Sequence, residues 1–138
     1  MQKFFIIFFN EQYRQEIVRI FKFGLVGIIN TSVFFIFFFI LFNLVKLHYL
    51  VATSVAYILA TINSFIINRS WTFESYGDTN RKFVKFVFVN IASIIVNSVL
   101  MFIFVDLAHL HPWFSQLITI CFTMCVNYLG NRFWTFYE

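Results

Sequence analysis

The chain has 138 residues, 61% of them hydrophobic and 23% aromatic, with only 12% charged and a formal net charge of +4. A soluble domain of this size has too much surface to hide so much apolar material, so the composition excludes an ordinary water-soluble globule. No Asp, Glu, Lys or Arg occurs between Lys22 and Lys46, Lys46 and Arg69, Lys85 and Asp106, or Asp106 and Arg132. Each gap reaches the about 20 residues that a helix needs to cross a hydrocarbon layer of about 30 Å. A spanning segment must satisfy its own backbone hydrogen bonds, so the four runs predict an all-α membrane protein with four transmembrane helices.

In chain order, residues 1–20 predict an amphipathic, interfacial helix. Tyr13, Ile17, Ile20 and Phe21 recur at helical spacing, with Glu11, Arg14, Gln15, Glu16 and Arg19 at polar positions. The apolar block Phe4 to Phe9 is too short for a signal-peptide core, and no small-residue cleavage site follows it. A single transmembrane domain is expected over 21–138, with helices near 22–45, 49–69, 84–106 and 112–132. Cys121 and Cys125, four apart in the fourth run, read as packing residues, since a disulfide within one helical turn is poorly shaped.

The charges orient this arrangement. Lys3, Arg14, Arg19 and Lys22 precede the first run, Arg69, Arg81, Lys82 and Lys85 surround the middle loop, and Arg132 follows the fourth. Only Lys46 falls in an opposite-side turn. The positive-inside rule then places both termini and the 69–85 loop in the cytoplasm, with outer turns near 44–50 and 106–113.

The chain also repeats itself. "NRSWTF" at 68–73 returns as "NRFWTF" at 131–136, and a shift of 63 residues aligns 19–75 with 82–138 without a gap. Lys22-Phe23 matches Lys85-Phe86, Val26 matches Val89, and Leu47-His48 matches Leu110-His111. Register matches of Lys, His, Asn, Arg, Trp and Thr exceed what a biased composition supplies, so the chain reads as a duplicated helical hairpin. Each copy starts and ends on one side, which predicts two parallel repeats about a pseudo-twofold axis along the membrane normal.

The hexapeptide admits two readings. Trp71 and Trp134 suit headgroup depth, Arg69 and Arg132 can snorkel, and cations near a helix C-terminus are favoured by its dipole. Alternatively the guanidinium forks of Arg69 and Arg132 bind a phosphate group bidentately, with Asn68 and Asn131 adding donors. Polar residues within the runs pose a similar choice. Asn90, Ser93 and Asn97 share a face of the third helix, Asn30 and Thr31 lie at matching depth in the first, and Ser64 and Asn68 share a face of the second. Thr123 and Asn127 do so in the fourth. They serve either as glue between helices or as a groove for a sugar's hydroxyls.

No ionisable residue lies near the middle of a run, so the usual coupling residue of a proton- or sodium-driven transporter is missing. A Walker-type glycine loop, a metal-spaced ligand cluster, paired carboxylates and a nucleophile–base set are also absent from the sequence. Neither an enzyme nor a cofactor or metal site is expected, and nucleic acid is not an expected partner.

"FKFGLVGIINTSVFF", with Lys22-Phe23, Val26-Gly27 and Asn30-Thr31, and "NSFIINRSWTF" closing the second run resemble the GtrA-like family of small membrane proteins. "KFVFVNIASIIVN" and "VNYLGNRFWTF" extend the resemblance through the second half, although Asn90 stands where Gly27 stands in the first. The resemblance implies four membrane helices in the bacterial cytoplasmic membrane. It implies translocation of a polyprenyl-phosphate-linked monosaccharide for cell-surface polysaccharide or teichoic-acid glycosylation. Arg69 and Arg132 carry over as phosphate contacts, followed by Asn68, Asn131, Trp71 and Trp134. Four helices enclose little space, so a homo-oligomer in membrane lipid is expected. The alternative is an accessory subunit that positions a polyprenyl-phosphate glycosyltransferase.

Overall fold

The computed structural model describes the backbone of residues 2–137, and the side chains of 11–48, 51–112 and 114–137. It is helical throughout, with no strand among the described residues. The chain divides into two compact units, Met1–Glu74 and Ser75–Glu138. The first contains α1 (Gln2–Phe39) packed on α2 (Tyr49–Ile67), and the second contains α3 (Thr79–Phe102) packed on α4 (Pro112–Gly130).

Every helix ends in one wide π-helical turn, over Ile40–Leu44, Asn68–Thr72, Ile103–Leu107 and Asn131–Thr135. The bounds in the second unit are those of the first shifted by 63 residues, so the sequence repeat is also a repeat of backbone geometry. Val45 and Ala108 donate their N–H groups to the carbonyls of Ile40 and Ile103, five residues back, at 3.0 and 2.9 Å. Lys46 (φ 62°) and His109 (φ 53°) then take the left-handed conformation, and the next-but-one N–H groups down each turn close it, Leu47 onto Leu41 and Leu110 onto Phe104. A left-handed residue is a common way to satisfy the last carbonyls of a helix. The two turns therefore fall at the expected places in the chain, near 44–50 and 106–113.

The helix pairs pack through small and matched residues. Ala52, Ala56 and Ala60 form a fully buried stripe on α2, letting α1 approach closely. Ser115, Thr119 and Thr123 hold the same positions on α4, the first two with no exposed surface. Val26 and Val89, Phe65 and Tyr128, and Phe73 and Phe136 are buried in equivalent places. Most of the large apolar side chains point outward instead, among them Ile28, Phe35, Phe88, Ile95 and Phe122.

Among the described residues, three segments are long and apolar enough to cross a membrane, Glu11–Leu44, Val51–Thr72 and Thr79–Leu107. The fourth span expected from the charge gaps is α4, whose apolar run is interrupted by Ser115, Gln116, Thr119, Thr123 and Asn127. Ser115 and Thr119 are buried, so part of that polarity is hidden from the outer surface. Two other expectations differ from the structure. The surface helix and the first span are one unbroken helix, because nothing between residues 2 and 39 breaks it: no proline occurs there, and Gly24 and Gly27 are accommodated within α1. Cys121 and Cys125, expected in the packing, are exposed on the outward face of α4.

Candidate functional site

The hexapeptide is the wide turn that closes α2 and α4. Phe73 donates its N–H to the Asn68 carbonyl and Phe136 to that of Asn131, both at 2.9 Å. One extra residue in the turn brings Asn, Thr and Phe to the inside together and leaves Trp outside. Asn68, Thr72 and Phe73 are buried in the first unit, as are Asn131, Thr135 and Phe136 in the second. Trp71 and Trp134 are exposed, whereas Arg69 and Arg132 are half-buried, and Arg132 lies over the Phe133 ring at 5.5 Å.

A lysine from the partner helix clamps each turn. Lys22 Nζ of α1 donates to the Trp71 carbonyl at 3.0 Å, and Lys85 Nζ of α3 donates to the Trp134 carbonyl at 3.0 Å. The same ammonium groups stand 5.4 and 5.6 Å from the two indole centroids, within cation–π range. The neighbouring phenylalanines meet the end of the hexapeptide, Phe23 with Phe73 and Phe86 with Phe136, each pair 6.1 Å apart. Lys22 and Lys85 were not among the site residues expected from sequence. Their signal was present as the matched Lys-Phe dipeptides, but a lysine at the start of an apolar helix reads equally well as an interfacial anchor.

The asparagines form the second part of the site. In the second unit Asn131 Nδ2 donates to Asn127 Oδ1 at 2.6 Å and to the Asn127 carbonyl at 2.9 Å. Asn127 Nδ2 reaches Asn90 Oδ1 on α3 at 3.4 Å, and Asn90 Nδ2 ends the chain on the Phe86 carbonyl at 2.9 Å. In the first unit the counterpart is shorter, Asn68 Nδ2 donating to Ser64 Oγ at 3.2 Å.

The remaining groove candidates are more local. Thr31 is exposed and donates to the Gly27 carbonyl at 3.0 Å, Ser93 is buried and donates to Val89, and Thr123 donates to Thr119 at 2.8 Å. Such back-bonding occupies a hydroxyl's donor and leaves its lone pairs open. Asn30 and Asn97 are half-buried, and Asn30 Oδ1 has no hydrogen-bond partner among the described residues.

Two similar helix pairs, each mostly apolar on the outside and ending in an arginine beside a lysine-clamped turn, define a small helical membrane protein. A family model described as GtrA/DPMS, transmembrane domain matches residues 22–136, α4 included. The chain belongs to this family, whose membrane domains take part in handling lipid-linked sugars in glycosylation. It is also similar to the uncharacterized membrane protein YngA of Bacillus subtilis (strain 168), with 30% identity over 125 residues, covering 89% of this chain and 82% of that protein.

Proposed function

We propose that this protein translocates a polyprenyl-phosphate-linked monosaccharide across the bacterial cytoplasmic membrane, supplying sugar for cell-surface polysaccharide or teichoic-acid glycosylation. The observation that carries the reading is the half-buried arginine at the hexapeptide end of each apolar helix pair. An ionised phosphate is costly to move into hydrocarbon, and a guanidinium at the interface offsets that cost with bidentate hydrogen bonds. Arg69 and Arg132 take the phosphate, with Trp71 and Trp134 beside them at headgroup depth. Asn68 and Asn131 act from inside the turns, holding the arginine-bearing backbone. The polar line from Asn131 through Asn127 to Asn90, with Ser93, Asn97 and Thr123, offers hydrogen bonds to the sugar, and Asn30, Thr31 and Ser64 do so in the first unit. The prenyl tail stays in lipid.

In this arrangement both termini and both hexapeptides face the cytoplasm, four helices cross, and the two units are parallel repeats. At about 1.5 Å per residue, the 38 residues of α1 measure about 57 Å, well beyond a hydrocarbon thickness of about 30 Å. Its first turns therefore project through the cytoplasmic interface instead of forming a separate helix flat on the surface. Without a coupling residue in the spans the movement is downhill, and a homo-oligomer supplies the space that four helices lack.

The test is sugar-lipid scrambling in liposomes that contain only the purified protein. Scrambling that Arg69→Ala or Arg132→Ala abolishes supports the reading. A pure protein that moves nothing, yet co-purifies with a polyprenyl-phosphate glycosyltransferase, replaces it with the accessory-subunit alternative.

A further inference from the structure

The hexapeptide end of the first unit carries an open cleft of about 310 Å³, lined by Arg14, Gln15, Arg19, Lys22, Thr72 and Glu74 among others. That volume lies at the small end of ligand sites, about 300–1,000 Å³, and suits a headgroup better than a whole lipid. Three cations meet there. Arg19 is paired with Glu16 at 2.6 Å and Lys22 with Glu74 at 3.2 Å, whereas Arg14 has no ion pair among the described residues. Thr72 is buried on the cleft wall, and its Oγ1, like that of Thr135 in the second unit, has no hydrogen-bond partner among the described residues. Glu74 holds a left-handed backbone, φ 48°, which is uncommon and costly for a residue other than glycine. Its side chain is 66% exposed and so is easily displaced from Lys22.

The second unit does not repeat the arginines of this cleft. Positions 63 residues on from Arg14, Arg19 and Glu74 are Gly77, Lys82 and Tyr137. Gly77 precedes α3, which begins only at Thr79, so no helix presents an arginine there. The Lys82 ammonium is turned onto Ser75 Oγ at 2.6 Å and onto the Tyr76 carbonyl. The pre-span part of α1 thus gives the first unit something its copy lacks.

We propose that the cleft is a binding site for a phosphate group, held by Arg14, Arg19 and Lys22, in which the Glu74 carboxylate occupies the anion's place on Lys22 until it binds. Guanidinium and ammonium donors converging with a hydroxyl are the usual makeup of a phosphate site. The carboxylate is a weaker, tethered stand-in for the same charge. The phosphate comes either from a prenyl-phosphate headgroup or from a small soluble phosphate compound. The site is separable from the translocation reading, since it is measured as binding with no membrane to cross.

The experiment is calorimetric binding to the purified full-length protein in a neutral detergent, using geranylgeranyl phosphate, the alcohol geranylgeraniol and inorganic phosphate as probes. The phosphate ester binds and the alcohol does not. Arg14→Gln and Arg19→Gln each weaken it about ten-fold, the scale of one charge-assisted hydrogen bond. Glu74→Gln acts in the opposite direction and tightens it by about three-fold or more, a gain that a folding defect does not produce. Arg81→Gln, outside the first unit, leaves it unchanged. An inorganic phosphate affinity equal to that of the ester assigns the site to a soluble phosphate compound, and a much weaker one assigns it to a lipid headgroup. Absence of phosphate binding in either form overturns the proposal, and so does binding that is indifferent to Arg14, Arg19 and Glu74 or is weakened by Glu74→Gln.

Discussion

Lys22 and Trp71, 49 residues apart in the chain, are joined by two interactions of one ammonium group: a 3.0 Å hydrogen bond to the Trp71 carbonyl and a cation–π contact 5.4 Å from its ring. Lys85 and Trp134 repeat the pair at 3.0 and 5.6 Å. The tryptophan is thereby oriented twice, through its backbone and its ring. The residue two before it, the arginine, is held by the same turn.

Removing the ammonium while keeping an unbranched stem isolates that clamp. Lys22→Met or Lys85→Met should each destabilise the protein by about 1–2 kcal/mol, the combined scale of a partly exposed hydrogen bond and a cation–π contact. Thermal unfolding in detergent measures it. A change within error for both would mean that these lysines merely reach for the interface.

Gly130 and Gly27 differ in the space around them, each within its own unit. A Cβ added at Gly130 would sit 2.8 Å from Val89 Cγ1 and 3.1 Å from Cγ2, and a helical valine is stiff about χ1. Gly27 has nothing within 4 Å of such a Cβ. Gly130→Ala should therefore cost about 1–3 kcal/mol, and Gly27→Ala should be neutral or slightly stabilising. Recovery of Gly130→Ala by Val89→Ala would locate the clash.

Whether Asn90 and Asn127 serve as glue or as a groove is decided by a double-mutant cycle on Asn90→Ala and Asn127→Ala. Hydrogen bonds between membrane helices average about 0.6 kcal/mol of coupling, and the 3.4 Å separation here is long. A coupling near or below that value, together with loss of sugar-lipid movement in either single variant, is the expected outcome. A coupling above about 1.5 kcal/mol with movement intact would make the pair structural.

Asp78 caps α3, its carboxylate accepting the Arg81 N–H at 3.1 Å. Asp78→Ala should cost about 1 kcal/mol, and Asp78→Asn or Asp78→Ser should recover most of it. Equal stability of all three variants would remove the cap from the account of this helix start.

Much of the architecture was legible in the sequence because it depends on local patterns. Uncharged runs of 20 residues or more require helices wherever a backbone must satisfy itself, and the 63-residue register is a property of letter order. Hence the four helices, their turns near Lys46 and His109, and the duplicated hexapeptide could be read before any coordinate. The polarity changes near residue 20, where the charged stretch before Lys22 gives way to an uncharged run, but a change in polarity does not break a helix, and the backbone of α1 runs on through it.

What only the tertiary structure decided is how the hexapeptide is used. Its hydrogen bonds skip five residues instead of four, which brings Phe73 inward beside Asn68 and Thr72 and leaves Trp71 outside. Spacing alone does not reveal such a turn, since a π turn is a rare, single-turn departure inside a helix. The lysine that completes the turn comes from the other helix, and Arg14 and Arg19 join Glu74 only because α1 runs unbroken past the end of α2. Contacts of that kind depend on which helix faces which, and that is settled by packing between segments distant in the chain.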